Sequence, residues 1–148
     1  MNEVVLEVLE GADAGRRFVI PVGTYRVIGR AYGASGGTTI VSRGEHRRLD
    51  SEDQRRVGEH LAYRRGDRDQ LGARGRMEHF VREGDIDLDD DAVSQTHALL
   101  LVDEAGTSLL DIASTNGTYV NGQRVTESTL VPGDLVRIGG TRLALVGG

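Results

Sequence analysis

Apolar and polar residues alternate in short runs toward both ends of this chain. Val4, Leu6 and Val8 recur at every second position among Glu3, Glu7 and Glu10, which predicts a strand over Glu3–Leu9. The stretch Gly11-Ala12-Asp13-Ala14-Gly15 is a turn, because glycine accepts positive φ and aspartate can bond its own backbone. Strands are predicted next at 16–22 and 24–28. In the second half the same reading gives strands at 86–88, 98–102, 108–112, 118–120, 123–125, 135–138 and 142–146. Asn121-Gly122 is the strongest hairpin signal, since both central residues of a type I′ turn need φ > 0. Many short strands joined by tight turns point to an all-β sandwich of about ten or eleven strands.

Residues 31–83 read differently. They hold 11 arginines and 9 acids, net +2, against net −7 for the rest of the chain. The segment opens with the glycine-rich Gly33-Ala34-Ser35-Gly36-Gly37. It then presents Ser51-Glu52-Asp53-Gln54, a capping-box pattern, followed by Val57 and Leu61 on one face. A helix over 52–65 follows, weakened at Gly58 by roughly 1 kcal/mol. The expectation is a single domain, 1–148, interrupted by a partly helical or disordered insertion at 31–83 that supplies few core residues and can be removed cheaply.

Composition narrows the function. A chain of 148 residues with 38% hydrophobic content suits one core. A net charge of −5 argues against specific nucleic-acid binding, which needs a basic surface to displace counterions. The absence of cysteine rules out disulfides and thiolate metal sites. No apolar run reaches the roughly 18 residues of a membrane span, and Met1-Asn2-Glu3-Val4 does not begin like a signal peptide. Neither a metal nor a cofactor is expected.

Three distant pieces stand out: Gly29-Arg30, Ser94-Gln95-Thr96-His97, and Ser114-Thr115-Asn116-Gly117-Thr118-Tyr119-Val120-Asn121-Gly122. They offer a guanidinium, hydroxyls and a carboxamide without a nucleophile–base pair, an inventory for holding an anion. With Asp85-Ile86-Asp87-Leu88 between them, and Val93 and Ala98 flanking the second piece, their order resembles the forkhead-associated (FHA) domain, a phosphothreonine-binding β-sandwich. The resemblance covers 1–30 and 84–148. The departure is the insertion, about 54 residues where the family has a short loop.

The resemblance implies roles. Arg30, one of 18 arginines and unremarkable by position alone, would pair with phosphate, for which its planar fork is suited. Ser94 would donate its hydroxyl to phosphate. Gln95 stands where relatives often carry a cation; its amide could donate without charge. Thr115 would reach the phosphate, and Asn116 would bond the bound peptide's backbone. Gly29, His97 and Gly117 would support the site: the lone histidine braces the loops, and the glycine permits a sharp turn. Asp89-Asp90-Asp91, beside Ser94, would form an acidic rim disfavouring acidic peptides.

The leading expectation is a non-catalytic, cytoplasmic module that binds a phosphothreonine-containing protein made by a Ser/Thr kinase. The alternative is a scaffold whose arginine-rich insertion docks an acidic partner or RNA independently of phosphate. Its interleaved acids and few aromatics (Tyr32, Tyr63, Phe80) favour a solvated face instead. An enzyme is disfavoured because Ser94 and His97 lack a third orienting group.

Overall fold

The computed structural model describes residues 3–31, 49–65 and 80–147. The glycine-rich stretch at 33–37 and the expected disorder around it fall outside those residues. Among the described residues there are twelve strands and one helix: β1 (Glu3–Glu10), β2 (Arg17–Pro21), β3 (Thr24–Arg30), α1 (Ser51–Arg65), β4 (Val81–Arg82), β5 (Ile86–Leu88), β6 (Ala98–Asp103), β7 (Gly106–Asp111), β8 (Thr118–Val120), β9 (Gln123–Val125), β10 (Glu127–Leu130), β11 (Leu135–Ile138) and β12 (Thr141–Gly147). No helix among them is long and apolar enough to cross a membrane.

The strands form two sheets. One has the order β2-β1-β12-β11-β8-β9; the other runs β10-β7-β6-β3-β4, with β5 also paired to β3. Every third-strand neighbour that precedes β6 is parallel: β4 pairs with Thr24–Tyr25 and β5 with Ile28–Arg30. A parallel pair cannot be closed by a hairpin and needs a crossover of a dozen or more residues. The segment between β3 and β4 is that crossover, and α1 lies within it.

Two apolar layers result. Between the sheets, Leu6, Ile20, Ile28, Ile86, Leu88, Leu100, Leu109 and Leu143 pack together. Behind the second sheet, Val57 and Leu61 of α1 meet Val27, Leu99, Leu101, Leu110 and Ile112, with Phe80 beside them. Side chains alternate across a strand, so Leu100 faces the first layer while its neighbours Leu99 and Leu101 face the second. Val57 and Leu61 are fully buried. Each such burial stabilises by about 1.5–3 kcal/mol, so the helix belongs to the core. The segment's few apolar residues thus pack as core, where the expectation was an insertion that could be removed cheaply.

Polar groups fix the helix in place. Buried His60 bonds Glu127 Oε2 through Nδ1 (2.5 Å) and Ser108 Oγ through Nε2 (2.9 Å). A carboxylate only accepts, so Nδ1–H donates to Glu127. The cap is shifted one residue from the predicted one. Asp50 Oδ1 accepts the Asp53 N–H (2.8 Å), and Asp53 Oδ2 accepts the Asp50 N–H (3.2 Å), a reciprocal capping box in which both members are aspartates. Burial, opposed in part by the Asp50 backbone hydrogen bond, raises the Asp53 carboxyl above its ordinary range.

Candidate functional site

The three sequence pieces converge at one end of the sandwich. Arg30 closes β3, exposed, and its backbone N–H donates to the Ser94 carbonyl (3.0 Å). The Ser94 hydroxyl accepts the Thr115 N–H (3.0 Å), joining the β5–β6 loop to the β7–β8 loop. Asn116 Nδ2 donates to the Ala92 carbonyl (2.8 Å), a second tie between the same loops. Gln95, Thr115 and Asn116 are exposed and Ser94 is half-buried. Arg30 at the end of β3 thus adjoins the two loops that carry the other four predicted binding residues.

The supporting residues lie beneath. His97 is fully buried. Its Nδ1 accepts the Ser94 N–H (3.0 Å) and its Nε2 donates to the Gly117 carbonyl (2.9 Å). An amide N–H only donates and a carbonyl only accepts, so the two bonds define the neutral Nε2–H tautomer. Both ring nitrogens are spent on backbone, so His97 is not placed as a base for the Ser94 hydroxyl. Gly117 has φ +87°, and a Cβ there would stand 2.8 Å from Arg124 Nε. The backbone conformation favours glycine, while the exposed Arg124 side chain could move aside for a Cβ. Gly29 is buried within β3, in register with Asp87 of β5. Asn121 and Gly122 have φ 49° and 84°, the predicted turn. Asn121 Oδ1 accepts the Leu135 N–H (3.0 Å), a role within the turn.

Two aspartates that the sequence reading did not assign to the framework hold the loops. The Asp111 carboxylate accepts the Ser114 N–H (3.0 Å), the Ser114 hydroxyl and the Thr118 hydroxyl (2.7 Å). Ser114 Oγ in turn accepts the Gly117 N–H (3.0 Å). Between Asp111 and Ser114, Ala113 has φ 50°, uncommon for a residue with a Cβ. The available signal was an aspartate three residues before a serine in a turn, where a carboxylate reaches local backbone donors. Asp90 accepts the Ala92 N–H (2.9 Å) through Oδ1, and the Gly140 N–H and Thr141 hydroxyl (each 2.8 Å) through Oδ2. The expected acidic rim is therefore reduced to Asp89 and Asp91, which are exposed. Asp90 is spent on the scaffold.

An exposed arginine, a half-buried serine hydroxyl and three exposed polar residues thus share one end of the sandwich. Residues 74–139 match the FHA domain family. A solved FHA domain from work on phosphothreonine-dependent FHA interactions covers 99% of this chain and 97% of its own, at 20% identity and a TM-score of 0.57. The described sandwich thus has the fold of FHA domains, and residues 74–139 carry that family's sequence pattern. The chain is 41% identical over 66 residues to the oxoglutarate dehydrogenase inhibitor of Corynebacterium efficiens, a stretch covering 45% of this chain and 46% of that protein. The glycogen accumulation regulator GarA of Mycobacterium tuberculosis is also 41% identical over 66 residues, 45% of this chain and 41% of that protein. The matched stretch thus spans less than half the length of either relative, and both are named as an inhibitor or a regulator.

Proposed function

We propose that this chain is a phosphothreonine-peptide reader without catalytic activity, mediating phosphorylation-dependent protein–protein interaction in the cytoplasm. The observation that carries the reading is the meeting of Arg30, at the end of β3, with Ser94, Thr115 and Asn116 on loops tied by the Ser94–Thr115 and Asn116–Ala92 bonds. Arg30 meets the phosphate with its guanidinium, and Ser94 donates its hydroxyl hydrogen while its oxygen accepts from Thr115. Gln95 and Thr115 add neutral donors, and Asn116 fixes the register of the peptide backbone. Commitment of both His97 nitrogens to backbone supports binding over hydrolysis. The partner is a protein phosphorylated by a Ser/Thr kinase. Preference for threonine over serine rests on a niche for one methyl, worth roughly 10- to 200-fold.

Calorimetry with matched phosphothreonine, phosphoserine and unphosphorylated peptides tests this. The phosphothreonine peptide binds best and the unphosphorylated one not measurably. Arg30→Ala removes a charged partner of the phosphate and costs ~2–5 kcal/mol of binding, with the thermal midpoint retained because Arg30 lies outside both apolar layers. Equal binding of all three peptides, or unchanged affinity in the variant, refutes the reading.

A further inference from the structure

We propose that Arg56 of α1 is a positioning residue for the β7–β8 loop, so that the docked helix sets how firmly that loop holds a phosphorylated peptide. The inference rests on the reading of the site given above and adds to it a residue outside the recognised motif.

Arg56 is half-buried, at the edge of the interface between α1 and the second sheet. Its Nη1 donates to the Asp111 carbonyl (3.0 Å) and its Nη2 to the Thr126 carbonyl (3.3 Å). Those two backbone positions are already joined, since the Asp111 N–H donates to the Thr126 carbonyl (2.9 Å). The guanidinium fork therefore pins the last residue of β7 against the segment leading into β10. A cation donating to a carbonyl makes the stronger kind of hydrogen bond.

What it pins is the root of the candidate loop. From Asp111 the bonds run to Ser114 and Thr118 through the carboxylate, from Ser114 Oγ to the Gly117 N–H, and from the Gly117 carbonyl to His97. His97 Nδ1 closes the path on Ser94. The path from α1 to both loops thus consists of hydrogen bonds without a gap. Ala113, two residues beyond Asp111, holds φ 50°. Such a conformation persists only where its surroundings over-determine it, so the fixity of Asp111 bears directly on Thr115 and Asn116. Val57, the next residue, buries its side chain in the apolar layer. The helix thus separates two tasks at adjacent positions: Val57 supplies adhesion and Arg56 supplies position.

That separation makes the test. In the full chain, amide hydrogen exchange at Ser114 and Gly117 is compared for wild type, Arg56→Ala, Arg56→Lys and Val57→Ala, well below each melting temperature. Arg56→Ala speeds exchange at both amides, and Arg56→Lys, which can reach one carbonyl, restores part of the protection. Val57→Ala lowers the thermal midpoint more but leaves these amides close to wild type. Affinity for a degenerate phosphothreonine-centred peptide pool falls with Arg56→Ala by about 2- to 30-fold, the span of measured couplings through packed networks, and by less than about 2-fold with Val57→Ala, which trims apolar contacts but leaves both carbonyl bonds at Asp111 and Thr126 in place. Unchanged exchange in Arg56→Ala, or equal acceleration in Val57→Ala, overturns the inference. If the wild type binds no member of the pool, the phosphopeptide reading fails, while the exchange data still decide whether Arg56 orders the loop.

Discussion

The outer faces of the two sheets follow different rules. On the first sheet, β1 alternates: Val4, Leu6 and Val8 are buried while Val5 and Glu7 are partly exposed. On the second, β6 is buried at all six positions from Ala98 to Asp103. Strand geometry is common to both, so the difference comes from what lies outside. Among the described residues no helix packs on the outer face of the first sheet, while α1 covers the second. A strand buried on both faces reads as a continuous apolar run, as strands in helix-covered parallel sheets do. The run Ala98-Leu99-Leu100-Leu101-Val102 therefore called for a cover, and the chain supplies it from its most polar segment. Two well-placed residues, Val57 and Leu61, outweigh that segment's average composition.

Removal of the cover breaks the comparison most severely. Deleting about residues 33–79 and closing with a glycine linker exposes Val27, Leu99, Leu101 and Leu110 together. The linker must also run back along β3, because β4 pairs with Thr24–Tyr25 at the far end of that strand from Arg30. Loop-closure entropy alone would permit the deletion, but a contiguous exposed apolar patch promotes association. The deletion protein is expected to be insoluble or aggregated in size-exclusion chromatography. A monomer with wild-type thermal midpoint would show that the second sheet needs no cover.

A single substitution gives the same contrast on a smaller scale. Leu61→Ala leaves a cavity under α1 and costs about 2–5 kcal/mol. Val19, 47% exposed on the outer face of the first sheet, is the matched control. Val19→Ala is expected to change stability by less than about 0.5 kcal/mol. Denaturant titration of the two variants reads this directly; similar losses would mean that the faces do not differ as described.

The polar clamp of the helix contributes less. Glu127 is 40% exposed in its side chain and accepts from His60 Nδ1. Glu127→Gln keeps an acceptor but loses the charge, so a loss of about 0.5–1.5 kcal/mol is expected by denaturant titration, the net size of one hydrogen bond. A loss as large as that of Leu61→Ala would move the main adhesion of α1 from its apolar side to this pair.

Most of the sandwich was legible because its strands alternate or sit beside diagnostic turns. β1, β3 and the Asn121-Gly122 hairpin are of this kind. Two strands were not legible. β10, Glu127-Ser128-Thr129-Leu130, is an edge strand with one buried residue, too polar to announce itself. β4 is two residues long and exists through its pairing with β3. At the site, the motif residues could be named because their order is unusual. Arg56 and Asp90 could not, since they reach partners up to 70 and 51 residues away along the chain; Asp111, whose carboxylate partners are local, went unread. The helix was found from Val57 and Leu61, but its docking was not, because a pattern with few apolar positions does not reveal what those positions meet.

The exposed side of α1 sharpens the comparison at its weakest end. Arg55 bonds the carboxylates of Glu52 and Glu59, one turn away on either side. The hydrogen bond from Arg55 holds the Glu52 carboxyl below its ordinary range. A carboxylate with a lowered folded pKa adds stability that is present above its unfolded pKa and lost as pH falls through the folded one. The direction is thus toward a slightly weaker helix in acid. Glu52 is fully exposed to solvent, however, and salt at about 0.15 M screens such a pair over roughly 8 Å. Exposed ion pairs commonly contribute nothing measurable. Glu52→Gln should therefore leave the melting temperature at pH 7 within experimental error, and should flatten any small loss of stability below the ordinary carboxylate range. A melting temperature clearly lowered at pH 7 and restored by neither salt nor acid would show that Glu52 acts through a packed contact. The outer surface of α1 would then be a third structural face rather than a solvated one.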